Sequence, residues 1–169
     1  MLRAILAAVL ACLLPMTASA ACDAPEYRQF DFWLGDWVVV GVPDAPNAGQ
    51  VLGHNRIESV SAGCALSEHW RGASGFDGRS LNGWDANARC WRQFWIGADG
   101  VVLQLSGGLE DGSMVLRGEL PGPSGATQLQ RIRWTPQPDG SVIQRWDTSD
   151  DAGATWGVSF LGHYRRPAT

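Results

Sequence analysis

Lysine is absent from the chain: all 13 basic residues are arginine, set against 17 acidic ones, for a formal charge of −4. An acidic chain whose arginines are scattered lacks the clustered basic face of a nucleic-acid-binding domain, so no nucleic-acid partner is expected. Charged residues are few, at 18%, and hydrophobic ones make up 45%. That balance excludes a disordered chain, a collagen and a coiled coil. There is no Cys-x-x-Cys pair and no Cys/His cluster, which excludes a structural zinc site, and no metal or other cofactor is expected. There is no G-x-S-x-G element and no phosphate-cradling Gly-rich loop that follows a strand and opens a helix. After residue 20 no segment is long and apolar enough to cross a bilayer as a helix.

What the chain does have begins with its leader. Met1-Leu2-Arg3 supplies a positive charge, Ala4 to Leu14 an apolar run, and Ala18-Ser19-Ala20 a small-x-small cleavage site. This is the pattern of a secretory signal peptide over 1–20, leaving one domain over 21–169 that is exported to the periplasm or secreted. Cys22 follows the cleavage site closely, but Ser19-Ala20-Ala21 lacks the large apolar residue of a lipobox. Cys22, Cys64 and Cys90 remain after cleavage, and an oxidising compartment predicts one disulfide and one odd thiol among them. Spacing alone does not choose the pair.

Turn signals recur at close intervals: Pro43 to Gly49, Gly72 to Gly78, Asp99-Gly100, Asp111-Gly112, Pro121 to Gly125, Asp139-Gly140 and Asp151-Ala152-Gly153. Between them apolar and polar residues alternate. The period of two predicts about ten strands, near 36–42, 50–60, 64–72, 79–86, 90–96, 101–107, 112–120, 127–136, 141–148 and 155–166. The segment from Ala24 to Phe32 predicts a short helical turn before them. Ten strands in a meander predict an all-β, antiparallel up-and-down barrel, because closure removes exposed edges. A barrel of that size has room for one small ligand.

Nine tryptophans in so short a chain is well above ordinary usage. Alternation groups Leu66, Glu68 and Trp70 on one face, then Trp91, Gln93 and Trp95, then Val142, Gln144 and Trp146, and finally Trp156, Phe160 and Tyr164. If these faces point inward, Glu68, Trp70, Gln93, Trp95, Gln144, Trp146 and Tyr164 line a ligand site of aromatic walls and a few convergent polar groups. Trp91 joins the interior. Burial would raise the pKa of Glu68. The bland alternative is a filled core in which the polar groups satisfy one another. Arg131, Arg133 and Arg145 fall on outward faces, as do His69 and His163; His54 lies on a strand.

The opening Phe30-Asp31-Phe32-Trp33-Leu34-Gly35-Asp36-Trp37 contains the G-x-W that begins the first strand of lipocalins and related calycin barrels. With Gly63 to Trp70, Gly78 to Asn82, Trp91 to Trp95, Arg133 to Pro136, Asp139-Gly140, Trp146 and Ser149 to Trp156, the chain resembles an exported bacterial family of unknown function with a lipocalin-like, calycin barrel. The resemblance covers nearly all of the mature chain. It implies that Trp37 closes one end under Arg165 or Arg166, and that Cys22 pairs with Cys64, leaving Cys90 free. Ser149-Asp150-Asp151-Ala152-Gly153-Ala154-Thr155-Trp156 is similar to the Asp-box of sialidases, and a single copy implies a stable hairpin rather than a glycosidase.

The expected role is therefore binding of a small apolar or amphipathic molecule in the lumen. One alternative is a small-molecule enzyme with Glu68 as general acid or base, joined by Glu58 or Asp85. Another is haem held by His163, as in the ten-stranded nitrobindins.

Overall fold

Alternation along the chain becomes a closed wall in three dimensions. The computed structural model describes residues 22–122 and 125–168; the expected signal peptide over 1–20 lies outside them. The strands are β1 (Gly35–Gly41), β2 (Val51–Val60), β3 (Ala65–Gly72), β4 (Asp77–Asp85), β5 (Cys90–Gly97), β6 (Val102–Glu110), β7 (Ser113–Pro121), β8 (Thr127–Pro136), β9 (Val142–Ser149) and β10 (Gly157–Arg165). Each pairs antiparallel with the next, and β10 returns to β1 with Val38 opposite Arg165 and Gly41 opposite Gly162. No strand edge is left open among them, as the meander predicted. The β6–β7 hairpin shows the local cause: Asp111 and Gly112 both take positive φ (48° and 76°), the two-residue turn whose twist matches its flanking strands.

One end of the barrel is plugged by the segment that precedes β1. Two short 3₁₀ turns, Pro25–Arg28 and Asp31–Trp33, carry Phe30 and Trp33 into full burial. The Phe30 ring stacks on Trp33 at 4.8 Å and meets Trp91 and Trp134 edge-on at 5.7 and 5.2 Å. Trp37 donates its indole N–H to the Trp33 carbonyl at 2.8 Å, and the Arg166 guanidinium lies 3.7 Å above the Trp37 ring. Of the two arginines expected over Trp37, Arg166 is the one that stacks. The Cys22–Cys64 disulfide fastens the plug to the start of β3, and Cys90 is free. Arg28 reinforces this join by donating to the Gly63 carbonyl.

One face assignment is corrected. Trp156 does not share the inward face of Phe160 and Tyr164. The β9–β10 register shifts between Val158 and Phe160, so Val158 opposes the outward Asp147 while Phe160 opposes the inward Trp146. A bulge of one residue turns everything before it to the other side. Trp156 therefore lies outside, under the Arg131 guanidinium at 4.0 Å. The Asp-box segment forms the hairpin before β10: Asp151 accepts from the Thr155 backbone N–H and hydroxyl at 2.8 and 2.6 Å.

Candidate functional site

The end opposite the plug is open and ringed by aromatics. Trp70 from β3, Trp95 from β5, Trp146 from β9 and Phe160 from β10 are half-buried there, with Phe76 from the β3–β4 turn. Trp70 and Phe160 meet edge-on across the mouth, with centroids 5.8 Å apart. Two glycines make room for these rings. A Cβ at Gly78 would fall 2.1 Å from the Trp95 ring, and one at Gly53 would fall 2.7 Å from Trp70. Both are inward positions where only a hydrogen fits under an indole.

Below the rim is a cavity of about 240 Å³ lined by Glu68, Trp70, Gln93, Trp95, Gln144, Trp146 and Tyr164. All seven residues singled out by alternation converge on this one space. Its volume lies below the range of about 300–1,000 Å³ usual for drug-sized ligands, which limits it to small molecules. The β6 and β8 side of the wall is apolar, formed by Leu103, Ile132 and Trp134. A larger hollow of about 410 Å³ lies over β4–β6, between Leu81, Phe94 and the Arg92–Asp85 ion pair. Its titratable groups are not buried, and it lacks the chemistry of the lumen.

The other half of the lumen is polar, and its side chains form one continuous hydrogen-bonded arc. Gln93 Nε2 donates to Asn82 Oδ1 at 2.7 Å, Asn82 Nδ2 to Ser80 Oγ at 2.8 Å, and Ser80 Oγ to Glu68 Oε2 at 2.6 Å. From the other side Asn55 Nδ2 donates to Glu68 Oε1 at 2.7 Å and to the Tyr164 oxygen at 3.3 Å. Tyr164 in turn donates to Gln144 Oε1. The arc runs from β5 through β4, β3 and β2 to β10 and β9, with Glu68 near its middle.

Donors converge on Glu68 from both sides, yet burial dominates its titration. Desolvation of the carboxylate pushes its pKa from 4.5 up to about 7, against the hydrogen bonds from Ser80 and Asn55 that favour the charged form. The Tyr164 phenol is pushed well above its ordinary value, first by burial and then by the nearby Glu68 charge. Two buried polar atoms here have no hydrogen-bond partner: Asn55 Oδ1 and the Nε1 of Trp134. Trp146 Nε1 is satisfied by Gln130 Oε1 at 2.8 Å.

Asn55, Ser80, Asn82 and Gln130 are buried inside the barrel, bonded to the lining residues Glu68, Gln93 and Trp146, and were not singled out from the sequence. Their signal was the opposite face. His54, Arg56 and Glu58 alternate with Asn55, and Arg131 and Arg133 alternate with Gln130. In β4 the cue is inverted, because Leu81 points outward and is 54% exposed while Ser80 and Asn82 are buried.

The residues named to join Glu68 in catalysis, or to hold haem, do not line the lumen. Glu58 is exposed and paired with Arg56 at 2.9 Å, and Asp85 accepts from Arg92 and from the backbone N–H groups of Asn87 and Ala88 on the outer surface. Neither stands beside Glu68 as a second carboxylate. His163 lies on the outer side of β10, its Nε2 2.8 Å from Ser141 Oγ. His69 pairs with Asp77 at 2.7 Å, and His54 is exposed. Arg131 and Arg145 both reach Asp147, at 3.2 and 2.8 Å.

The fold and site define a closed ten-stranded antiparallel β-barrel, plugged at one end and open through an aromatic mouth into a half-polar lumen. No protein-family model matches the chain, and neither does any curated protein.

Proposed function

We propose that the protein is an exported, lipocalin-like barrel that binds a small apolar or amphipathic molecule in its lumen. The observation that carries this reading is the division of the cavity wall. Leu103, Ile132 and Trp134 offer one apolar side, while Glu68, Gln93, Gln144 and Tyr164 offer polar atoms. Aromatic rings supply contact area, and a few fixed polar groups orient the ligand. Export is supported by the signal-peptide pattern over 1–20 and by a disulfide that needs an oxidising compartment.

Native mass spectrometry, with an absorbance spectrum, on protein purified from its own host tests this directly. A co-purifying small molecule is the expected result, with Trp95→Ala and Glu68→Ala lowering its retention while the barrel stays folded. A bare polypeptide mass that no small molecule shifts at millimolar concentration refutes it.

A second reading is catalysis with Glu68 as general acid or base, favoured by a carboxyl pKa brought to about 7. It predicts turnover of a bound molecule that is lost in Glu68→Gln, whereas binding alone predicts none.

A further inference from the structure

Given a ligand-binding lumen, the wall selects the charge of its occupant as well as its size. Among the described residues no arginine or histidine side chain lines the cavity. Among the same described residues Glu68 is the one carboxylate, and seven of the 13 that line the cavity are aromatic. An aromatic face carries negative charge density and attracts a cation placed over it. Glu68 uses two of its acceptor sites on Asn55 and Ser80, and a carboxylate has about four. Acceptor capacity therefore remains on a side chain that lines the cavity. An anion would meet a carboxylate and ring faces that repel it. A neutral ligand would fill the space but leave the carboxylate without a counter-charge.

We propose, resting on the ligand-binding reading, that the lumen binds a small organic cation, a protonated or quaternary amine bearing an apolar group. The ammonium sits between Glu68 and the indoles of Trp95 and Trp146, and the apolar group packs on Leu103 and Ile132. A cation of this kind binds the ionised carboxylate. Below pH 7 it must displace the Glu68 proton, so its affinity falls there, at most about tenfold per pH unit, toward that of a neutral ligand of the same shape, and is level above. The groups facing the carboxyl are Asn55 from β2, Ser80 from β4 and Tyr164 from β10. Tyr164 is the one other titratable group among them, and its raised pKa keeps it neutral throughout this range.

Phenyltrimethylammonium and tert-butylbenzene have the same shape and differ by one charge, and neither titrates. Binding of each is read from tryptophan fluorescence and calorimetry between pH 5 and 8. The expected result is a cation at least about tenfold tighter than its neutral twin at pH 8. That preference should vanish at pH 5 and in Glu68→Gln. The pH profile of the unaltered protein stands on its own should Glu68→Gln fold poorly. Equal binding of both probes at pH 8 overturns the cation proposal and leaves the ligand-binding lumen intact. Failure of phenyltrimethylammonium at millimolar concentration and of tert-butylbenzene at saturation to bind overturns the lumen reading along with it.

Discussion

Replacing Glu68 with Gln should make the protein more stable at neutral and alkaline pH and abolish a specific pH dependence. The folded-state pKa is raised from 4.5 to about 7. Between those values the folded protein holds a proton that the unfolded chain has released. Stability therefore falls as pH rises through this window. The shift of about 2.5 units, at about 1.36 kcal/mol each, corresponds to about 3 kcal/mol lost between pH 4.5 and pH 7. Urea titrations at half-unit pH steps would read it as a midpoint change of about 1.5 M, for an m-value of about 2 kcal/mol/M. Gln keeps an acceptor for Asn55 Nδ2 and offers an N–H to the Ser80 oxygen, so the difference between the two proteins isolates the titration. Below pH 4.5 the curves should run parallel. Identical slopes from pH 4.5 to 8 would show that the carboxyl is not desolvated, and the lumen would then be as wet as bulk solvent.

Other perturbations test the frame around the site. The Cys22–Cys64 bridge closes a separation of 42 residues; its loss in Cys64→Ser should cost about 4 kcal/mol by the chain-entropy relation, read as a lower urea midpoint under oxidising conditions. Gly78→Ala places a methyl 2.1 Å from the Trp95 ring. It should cost about 1–3 kcal/mol by overpacking and shift the fluorescence of the mouth tryptophans. Arg166→Ala removes the cation stacked on Trp37 and should cost about 1 kcal/mol, whereas Arg165→Ala should change the melting temperature little. Asp151, whose pKa the Thr155 and Ser149 hydrogen bonds hold down at about 2, should support its hairpin above the ordinary carboxylate range. That support should be lost as pH falls through about 2, and Asp151→Asn should lack this acid transition in hydrogen exchange of the β9–β10 turn.

Strand placement was legible because most strands alternate and most turns are marked. The sequence places strands at 127–136 and 90–96, and β8 and β5 run Thr127–Pro136 and Cys90–Gly97. The seven lumen residues were legible for the same reason, since a tryptophan on β3, β5 and β9 declares which face is inward. The partners of Glu68 were not. β2 carries no large aromatic to declare its inner face, and in β4 the one such signal is Trp84 at the strand's end, while Leu81 points outside and polar Ser80 and Asn82 inside. The rule that apolar residues mark the core fails where the core itself is polar on one side. Trp156 escaped for a different reason. A bulge at Ser159 breaks the count of two, and nothing in Val158-Ser159-Phe160 announces it.

That failure of the pattern is itself informative about the lumen. Local rules tend to break where a protein departs from the most stable packing, and such departures gather at functional sites. A filled structural core would gain from Gln at position 68, which hydrogen-bonds Asn55 and Ser80 without a desolvated charge. Keeping Glu there costs about 3 kcal/mol at neutral pH, a large part of the net stability of an ordinary domain. The plug of Phe30, Trp33 and Trp37, the disulfide and the closed ladder supply the stability that offsets it. The half-buried rim of Trp70, Trp95, Trp146 and Phe160 fits the proposed binding role, because rings left short of full burial would gain contact with a ligand. A barrel built this way should become tighter and less selective together when Glu68 is neutralised: higher melting temperature above pH 7, and loss of discrimination between a cationic ligand and its neutral twin.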